Sequence, residues 1–230
     1  AGILMGVQRA LKAVVDSTIQ VEKALADVNV IFNVSSASLE KFSQSLFSVA
    51  RNTAQSFAEV GTAATELARQ GLSVEETLKR TRDALILTRL AGMSAAESVD
   101  AITAALNSFS RTAVTSTELV SKLAAVDAAF AVGSKDLAEA VKRVGSSAQE
   151  AGVGLDEMIA AVTAAQQITA RGGAVIGNSF KTIFTRIQRP RVLKELENLG
   201  IATADAAGQT RPAIAVLKEL AATYDILGSK

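Results

Sequence analysis

The sequence contains neither cysteine nor histidine. Without cysteine there is no disulfide framework, no thiolate nucleophile and no cysteine-ligated metal, and without histidine the commonest metal ligand and general base are missing. We therefore expect no metal site and no cofactor. The only conventional catalytic groups left are carboxylates, and among them Asp156 and Glu157 are candidates for a glycosidase pair. Both lie where a helix start explains an acidic residue, so we expect no enzyme.

Tryptophan is also absent, proline occurs twice and aromatic residues make up 4% of the chain, whereas alanine accounts for about a fifth of it. This composition favours helices that pack closely through small side chains. With 49% hydrophobic residues in 230, the chain is able to bury a substantial core as one large or two small domains. The charge balance of 24 basic against 23 acidic residues excludes a nucleic-acid binder that relies on overall charge.

Long apolar runs are missing as well. The charge-free stretch from Met158 to Ala170 is shorter than the roughly 20 apolar residues a bilayer requires and contains Gln166, Gln167 and Thr169. The first residues lack the charged region and apolar core of a secretion signal. We expect no stable membrane span.

Helix-start signals recur at nearly even spacing through the middle of the chain. A capping residue stands before a carboxylate at five positions, and successive starts lie about 20 residues apart, which leaves room for a helix of about four turns and a short connection. The five starts are at Ser73, Ser94, Thr115, Ser134 and Gly154. Left-handed helix ends are expected at Gly71, Gly92, Gly152 and Gly200. The pattern predicts an all-α fold, a multi-helix array or bundle of roughly 15–20-residue helices. Only this punctuation recurs, so a true repeat is the weaker interpretation.

The N-terminal part differs from the middle. Residues 7–32 form an amphipathic helical stretch, and a second one runs from about Ser38 to Gln70. The serine-rich segment 35–38 is the best candidate for a linker between them. We therefore predict two domains, an N-terminal amphipathic helix (1–35) that packs separately or against another chain and a helical domain (36–230).

A basic segment near residue 180 gives the sharpest local signal. Between 171 and 194 there are six cations and no acidic residue, namely Arg171, Lys181, Arg186, Arg189, Arg191 and Lys194. On a helix the opposite face is apolar and comprises Ile176, Phe180, Ile183, Phe184 and Ile187. Gly173 and Gly177 fall on or beside that apolar face, where they allow a neighbouring helix to approach closely, and Pro190 ends the segment.

Three interpretations of this basic segment remain open. The first is a solvated face whose cations offset the acidic helices before it, and this is the default. The second is a contact with DNA phosphates or with an acidic protein wall. The third is a phosphate loop between Gly172 and Gly177, which is weak because Asn178 stands where such a loop needs lysine and no strand precedes it.

The C-terminal part combines a short helix, a turn and a last helix. Asp205 and Gly208 have turn chemistry, and the flanking segments predict a small hairpin-like turn near 201–211. A last helix is expected from about Pro212 to Leu227. Asp205 is interpreted as a turn former, because a calcium site needs several more acidic oxygens at alternate positions.

Several of these segments, in this order, resemble the core region of phage tail tape measure proteins. The resemblance spans about residues 36–227 and is carried by the run from Gln70 to Arg80, by Ala84 to Gly92, by Ala170 to Ile187 and by Leu199-Gly-Ile201 with Asp205, Gly208 and Arg211-Pro212. The resemblance marks ten residues as family-signature or packing positions: Gly71, Gly92, Gly172, Gly173, Gly177, Phe180, Phe184, Pro190, Gly200 and Gly208.

The resemblance implies a structural virion protein. Tape measure proteins are long helical chains that set tail length, template the tail tube, lie in the tube lumen as several copies and leave ahead of the DNA. The implied partners are the tail tube protein, tail assembly chaperones, and distal tail or baseplate proteins, with transient contact to phage DNA; the implied locations are the virion tail and, during assembly, the host cytoplasm. A single helical rod of this length would reach about 345 Å, but the glycine caps break it, so we expect a folded module of a longer protein.

Two alternatives of other classes remain. One is a generic helical scaffold or chaperone-binding module that binds partner helices through apolar grooves. The other is a membrane-active segment whose amphipathic helix, residues 174–189, lies at an anionic lipid surface during DNA delivery.

Overall fold

A computed structural model describes residues 2–228, with the side chains of residues 2–8, 10, 11, 14, 227 and 228 left out. Eleven α-helices follow one another along the described residues, and no strand occurs among them, so the predicted all-α fold is confirmed. The helices are α1 (Gly2–Phe32), α2 (Ser36–Thr53), α3 (Phe57–Ala68), α4 (Val74–Ala91), α5 (Ala95–Ser108), α6 (Ser116–Ala129), α7 (Ser134–Glu150), α8 (Leu155–Thr169), α9 (Gly173–Ile187), α10 (Pro190–Asn198) and α11 (Ala213–Gly228).

Four of the five predicted helix starts are capped by the residues the sequence indicates. At the start of α5 the Ser94 hydroxyl accepts from the Glu97 amide at 3.2 Å, and the Glu97 carboxylate accepts from the Ser94 amide at 2.8 Å. This reciprocal pair satisfies two donors that a helix start leaves without partners. The other three caps are Ser73, Thr115 and Gly154.

The prediction that Ser134 caps a helix is wrong by one residue. Gly133 is the cap of α7, and Ser134 is already the first helical residue. The amide and hydroxyl of Ser134 both donate to the Asp127 carboxylate of α6, at 2.8 and 2.6 Å. Because a carboxylate from another helix satisfies the first amide, α7 needs no side chain of its own at the cap position.

The second N-terminal helical stretch is two helices instead of one. The chain breaks at Ala54, which has the left-handed φ of +53°, and restarts at Ser56. Ser56 and Glu59 form the same reciprocal cap as Ser94 and Glu97, with the Glu59 carboxylate 3.0 Å from the Ser56 amide. The serine and the glutamate three residues later are visible in the sequence as a helix-start signal. The break was missed because the apolar residues keep helical spacing on both sides of it.

The chain forms two compact units that divide between Asp100 and Ala101. In the first unit α3 lies against α1, α2 and α4. Its core includes the fully buried Leu46, Val60, Leu67 and Leu85. Gly61 of α3 faces Ala24 of α1 so closely that an added Cβ would lie 2.6 Å from the Ala24 Cβ. The predicted domain boundary after residue 35 stays a prediction.

In the second unit α7 is the central helix and packs against α6, α8 and α9. One face of α7 is buried, and among its residues Leu137, Val141 and Val144 are exposed by 2% or less. The regularly spaced apolar and small residues of α7 therefore form much of this unit's core.

The hairpin-like turn predicted near 201–211 is present. Ala204 and Thr210 form an isolated antiparallel bridge, and the Asp205 carboxylate accepts from the amides of Ala207 and Gln209 at 2.9 and 2.8 Å. Asp205 is therefore a turn former, because its side chain satisfies the backbone of the turn it starts. Arg211 then binds Glu219 of α11 at 2.6 Å, which ties the turn to the last helix and lowers the pKa of Glu219.

Within residues 2–228, none of the helices combines the length and the apolar content that crossing a membrane requires.

Candidate partner interface on α9 and α10

The six cations singled out from the sequence lie on the surface of α9, its flanks and the start of α10. We call Arg171, Lys181, Arg186, Arg189, Arg191 and Lys194 the basic face. All six side chains are exposed. Arg189 is the cap of α10 and Pro190 its first residue, where proline's missing amide donor has no cost. Two consecutive helices thus present one run of positive charge.

Two glycines set how closely α9 approaches α7. A Cβ added to Gly173 would lie 1.8 Å from the backbone oxygen of Asp136, and one added to Gly177 would lie 3.0 Å from the Ala140 Cα. These two contacts lie four residues apart on each helix, from Asp136 to Ala140 on α7 and from Gly173 to Gly177 on α9. The two helices therefore run parallel and stay in close contact over about one full turn. Any larger residue at Gly173 would push the backbones apart.

Asp136 of α7 fastens the start of α9. Its carboxylate accepts from the Gly173 amide at 2.8 Å and from the Gln166 side chain of α8 at 2.6 Å. Gly172, the cap residue of α9, has no side chain that could do this. The carboxylate takes the position at which a helix N-terminus otherwise binds an anion. The Asp136 carboxylate therefore occupies the place that a phosphate would take if residues 172–177 were a phosphate loop.

Sequence reasoning missed the role of Asp136. The glycine pair at 172–173 signals a helix that starts without its own cap, but nothing in the sequence shows that the missing acceptor comes from a residue 37 positions earlier. Asp127 acts in the same way on α7, and the Ser134 hydroxyl and amide lower its pKa.

The apolar side of α9 is buried over part of its predicted width. Ile176, Phe184 and Ile187 are at most 7% exposed, and Phe180 lies half-buried with its ring 5.6 Å from that of Phe184. Ile183 departs from the prediction, because 38% of its surface is exposed. Because α7 contacts α9 closely at Gly173 and Gly177, only a narrow strip of the α9 surface is buried. Ile183 lies outside this strip, on the exposed side of α9 that also carries the cations.

The basic face carries little internal neutralisation. Arg191 pairs with Glu195 at 3.0 Å, one turn along α10. The other five cations form no ion pair with any side chain described in the structure. Five exposed charges that no described side chain pairs give this surface a positive potential, which salt screens over about 10 Å.

The carboxylates considered for catalysis have structural contacts. Asp156 binds Lys122 of α6 at 2.6 Å, and Glu157 accepts from the Gly154 amide at the start of α8 at 3.4 Å. Asp156, together with Glu118, raises the pKa of Lys122. No three acidic residues among those described lie close enough together to hold a metal ion.

Comparison with known families matches residues 40–228 to the model for phage-related minor tail proteins. The chain belongs to the phage-related minor tail protein family. This match runs from the second turn of α2 to the last helix and covers the basic face, so it includes the segments that carried the resemblance to tape measure proteins.

One relative is a probable tape measure protein of Escherichia phage P2. It is 30% identical to the chain over 91 residues, which is 39% of this chain and 11% of the relative. The chain therefore matches only a small part of that protein's length. No solved structure matches the chain. The resemblance to the tape measure core region is confirmed, and the chain is a structural protein of the phage tail.

Proposed function

We propose that the chain is a folded segment of a tail tape measure protein that helps to set tail length, templates assembly of the tail tube and takes part in genome ejection. The observation that carries this proposal is the family match over residues 40–228. The name of the phage P2 relative, a probable tape measure protein, supports it. The segment works as several copies with the tail tube protein, tail assembly chaperones and distal tail or baseplate proteins, in the virion tail and, during assembly, in the host cytoplasm.

The segment contributes through contacts more than through its own extension. Apart from α1, the described helices have at most 18 residues, about 27 Å each, and within each unit several of them pack against one another. A ruler needs an extended chain, so most of the measured length lies in other parts of the longer protein. This segment then holds a defined place in the tail by binding its partners.

The basic face is the proposed contact for an acidic partner, and its details favour a protein over DNA. The anion position at the start of α9 is already taken by Asp136, so backbone amides there do not bind phosphate. The hydroxyls of Ser179 and Thr182 donate to carbonyls of their own helix. Exposed Val175 and Ile183 lie on the same helix as the cations and suit a protein surface. An acidic wall with apolar patches fits all three features.

The test is an in-frame deletion of the region encoding residues 40–228 from the full-length gene in its phage, with tails measured by electron microscopy. We expect few or no normal tails, restored by the intact gene supplied in trans. A segment that acted as an extended rod would instead give intact tails shortened by about 280 Å. Tails of normal number, length and infectivity would contradict the proposal.

A further inference from the structure

The first half of α4, residues 74–83, packs in the first unit mainly through polar groups. Three of its side chains are at most 1% exposed, and all three are polar: Thr77, Thr81 and Asp83. The two apolar residues of this half, Val74 and Leu78, are half-buried. Because burial of apolar surface provides most of the packing energy of a core, this half gains little from its contacts.

Two of these buried groups lack the hydrogen bonds that such groups normally form. The hydroxyls of Thr77 and Thr81 have no hydrogen-bond partner among the residues that the structure describes. A buried helical threonine can donate to the carbonyl four residues earlier, as Thr88 and Thr163 do at 3.0 and 2.8 Å. A hydroxyl that leaves water without gaining a partner disfavours the packed state. Thr77 and Thr81 therefore weaken the packing of this half of α4.

The second half of α4, residues 84–91, is anchored by apolar side chains. Ala84, Leu85 and Leu87 are fully buried. The buried hydroxyl in this half, that of Thr88, is also 2.9 Å from the Ser98 hydroxyl, within hydrogen-bond distance. One continuous helix is thus firmly packed in its second half and weakly packed in its first.

Local contacts alone do not hold the first half of α4 in helical form. The Ser73 hydroxyl accepts from the Glu76 amide at 3.2 Å, and the Glu76 carboxylate pairs with Arg80 at 2.7 Å. A helical segment of this length is nevertheless marginal in water without packing. If this half separates from its neighbours, its backbone hydrogen bonds therefore open and its amide protons exchange with solvent.

We propose that residues 74–83 form a release element, which separates from the rest of the first unit while residues 84–91 stay packed. Release returns the Thr77 and Thr81 hydroxyls to water, where they regain hydrogen bonds, so opening costs less here than at an apolar contact. During genome ejection the element gives the first unit a defined place at which to begin unfolding. Only that use rests on the proposed function, because the release itself is a property of the chain alone.

The first test is amide hydrogen exchange of the complete chain. Residues 78–83 should have protection factors about tenfold or more below those of residues 85–89 in the same helix. Residues 138–143 of α7 are the control for fraying, because they lie equally far from their helix start and are anchored by Leu137 and Val141. They should not show this loss of protection. Equal protection of the two halves of α4 would overturn the inference.

The second test replaces threonine with valine, which keeps the shape of the side chain and removes the hydroxyl. Thr77→Val and Thr81→Val should each slow the exchange of residues 78–83 about fivefold or more and raise the melting temperature. Thr88→Val makes the same change at a hydroxyl that has partners, so it should lower the melting temperature. If Thr77→Val and Thr81→Val lower it as well, those hydroxyls are bonded in the fold and the inference is wrong.

The use of the release element in ejection is tested in the phage. The double variant Thr77→Val/Thr81→Val should form tails in normal number and release DNA more slowly than the parent, whereas Thr88→Val should not slow release. Release at the parental rate from the double variant would overturn this use. The deletion of residues 40–228 tests the tail function separately, so the exchange experiment can fail while the tail function stands, and the reverse.

Discussion

Aspartates from neighbouring helices complete two helix starts in the second unit. Gly133 and Gly172 cap α7 and α9 without side chains, and Asp127 and Asp136 supply the acceptors instead. A cap within one helix is a local device, whereas these two fix the position of one helix relative to another. The same carboxylates carry negative charge at the positive ends of the helices, which adds a favourable dipole interaction.

Replacing Asp136 with alanine should destabilise the domain by about 1 to 3 kcal/mol, because the Gly173 amide and the Gln166 side chain both lose a charged acceptor. Asp136→Asn keeps an acceptor oxygen and should lose less. The matched control is Asp156→Ala, which removes a 75% exposed carboxylate and its pair with Lys122. That change should cost under about 1 kcal/mol. Equal losses from urea unfolding of the two alanine variants would contradict the role of Asp136.

Asp127 predicts an acid-sensitive contribution to stability. Its pKa is lowered in the fold, because the Ser134 hydroxyl and amide favour the charged form. The contribution is therefore fully present above the unfolded pKa of about 3.9 and is lost as the pH falls through the folded pKa. Asp127→Asn should lower the free energy of unfolding at pH 7, and its difference from the parent should shrink below about pH 4. Asp225→Asn, at an exposed site of α11, is the control. A difference that stays constant from pH 7 to pH 2 would exclude this mechanism.

Individual helices were predictable where the signal is local. Four of five starts follow from a capping residue and a carboxylate three positions later, and Asp205 follows from turn chemistry. The prediction that Ser134 caps α7 fails because the Ser134 amide binds Asp127 on another helix. The prediction that Ile183 is buried fails for a different reason. The width of the buried stripe on α9 depends on how closely α7 approaches, and that distance is set by contacts between residues far apart in sequence.

The close contact between α7 and α9 predicts the cost of a larger residue. Gly177→Leu should destabilise the domain by about 1 to 3 kcal/mol through overpacking against Ala140 and Arg143, although leucine is the better helix former. Ser179→Leu places the same side chain two residues away on the exposed side of α9 and should change stability by under about 0.5 kcal/mol. Thermal denaturation measures both. A higher melting temperature for Gly177→Leu than for the parent would show that the helices separate at little cost.

At the scale of the whole chain, the composition and the helix-start and helix-end signals were sufficient to predict the all-α class. The sequence motifs, in their order along the chain, were sufficient to predict the family. The division between Asp100 and Ala101 had no sequence signal, because it falls inside α5 and no linker marks it. The linker predicted at 35–38 is misplaced, because α2 already begins at Ser36 and the break between α1 and α2 lies at 33–35. Ser35 caps α2, so these serines start a helix instead of separating two domains, and α1 packs on α3 across the break. Which helices pack together depends on contacts between distant residues, and local patterns do not encode those.

Neutralising cations of the basic face should reduce function without affecting folding. Changing Lys181, Arg186 and Arg189 to glutamine keeps helix propensity at the two positions inside α9, removes no side-chain cap bond at Arg189 and leaves the buried side of α9 intact. Stability should therefore change by under about 0.5 kcal/mol. Production of infectious particles should fall sharply. The matched control changes three exposed lysines elsewhere, Lys41, Lys79 and Lys218, to glutamine and should leave the yield unchanged.

The salt dependence of binding by the same triple variant identifies the partner. If an acidic tail protein binds the basic face, the triple variant should bind purified tail tubes more weakly than the parent, and its affinity should fall less steeply with salt, because fewer charges take part. A DNA complex would show the same change with duplex DNA, where the slope of affinity against salt decreases by about 0.9 for each phosphate that a cation no longer neutralises. Should the variant assemble full-length tails and deliver DNA as the parent does, the cations form only a solvated surface. The lysine control separates these outcomes from a general effect of net charge, since both variants lose three positive charges.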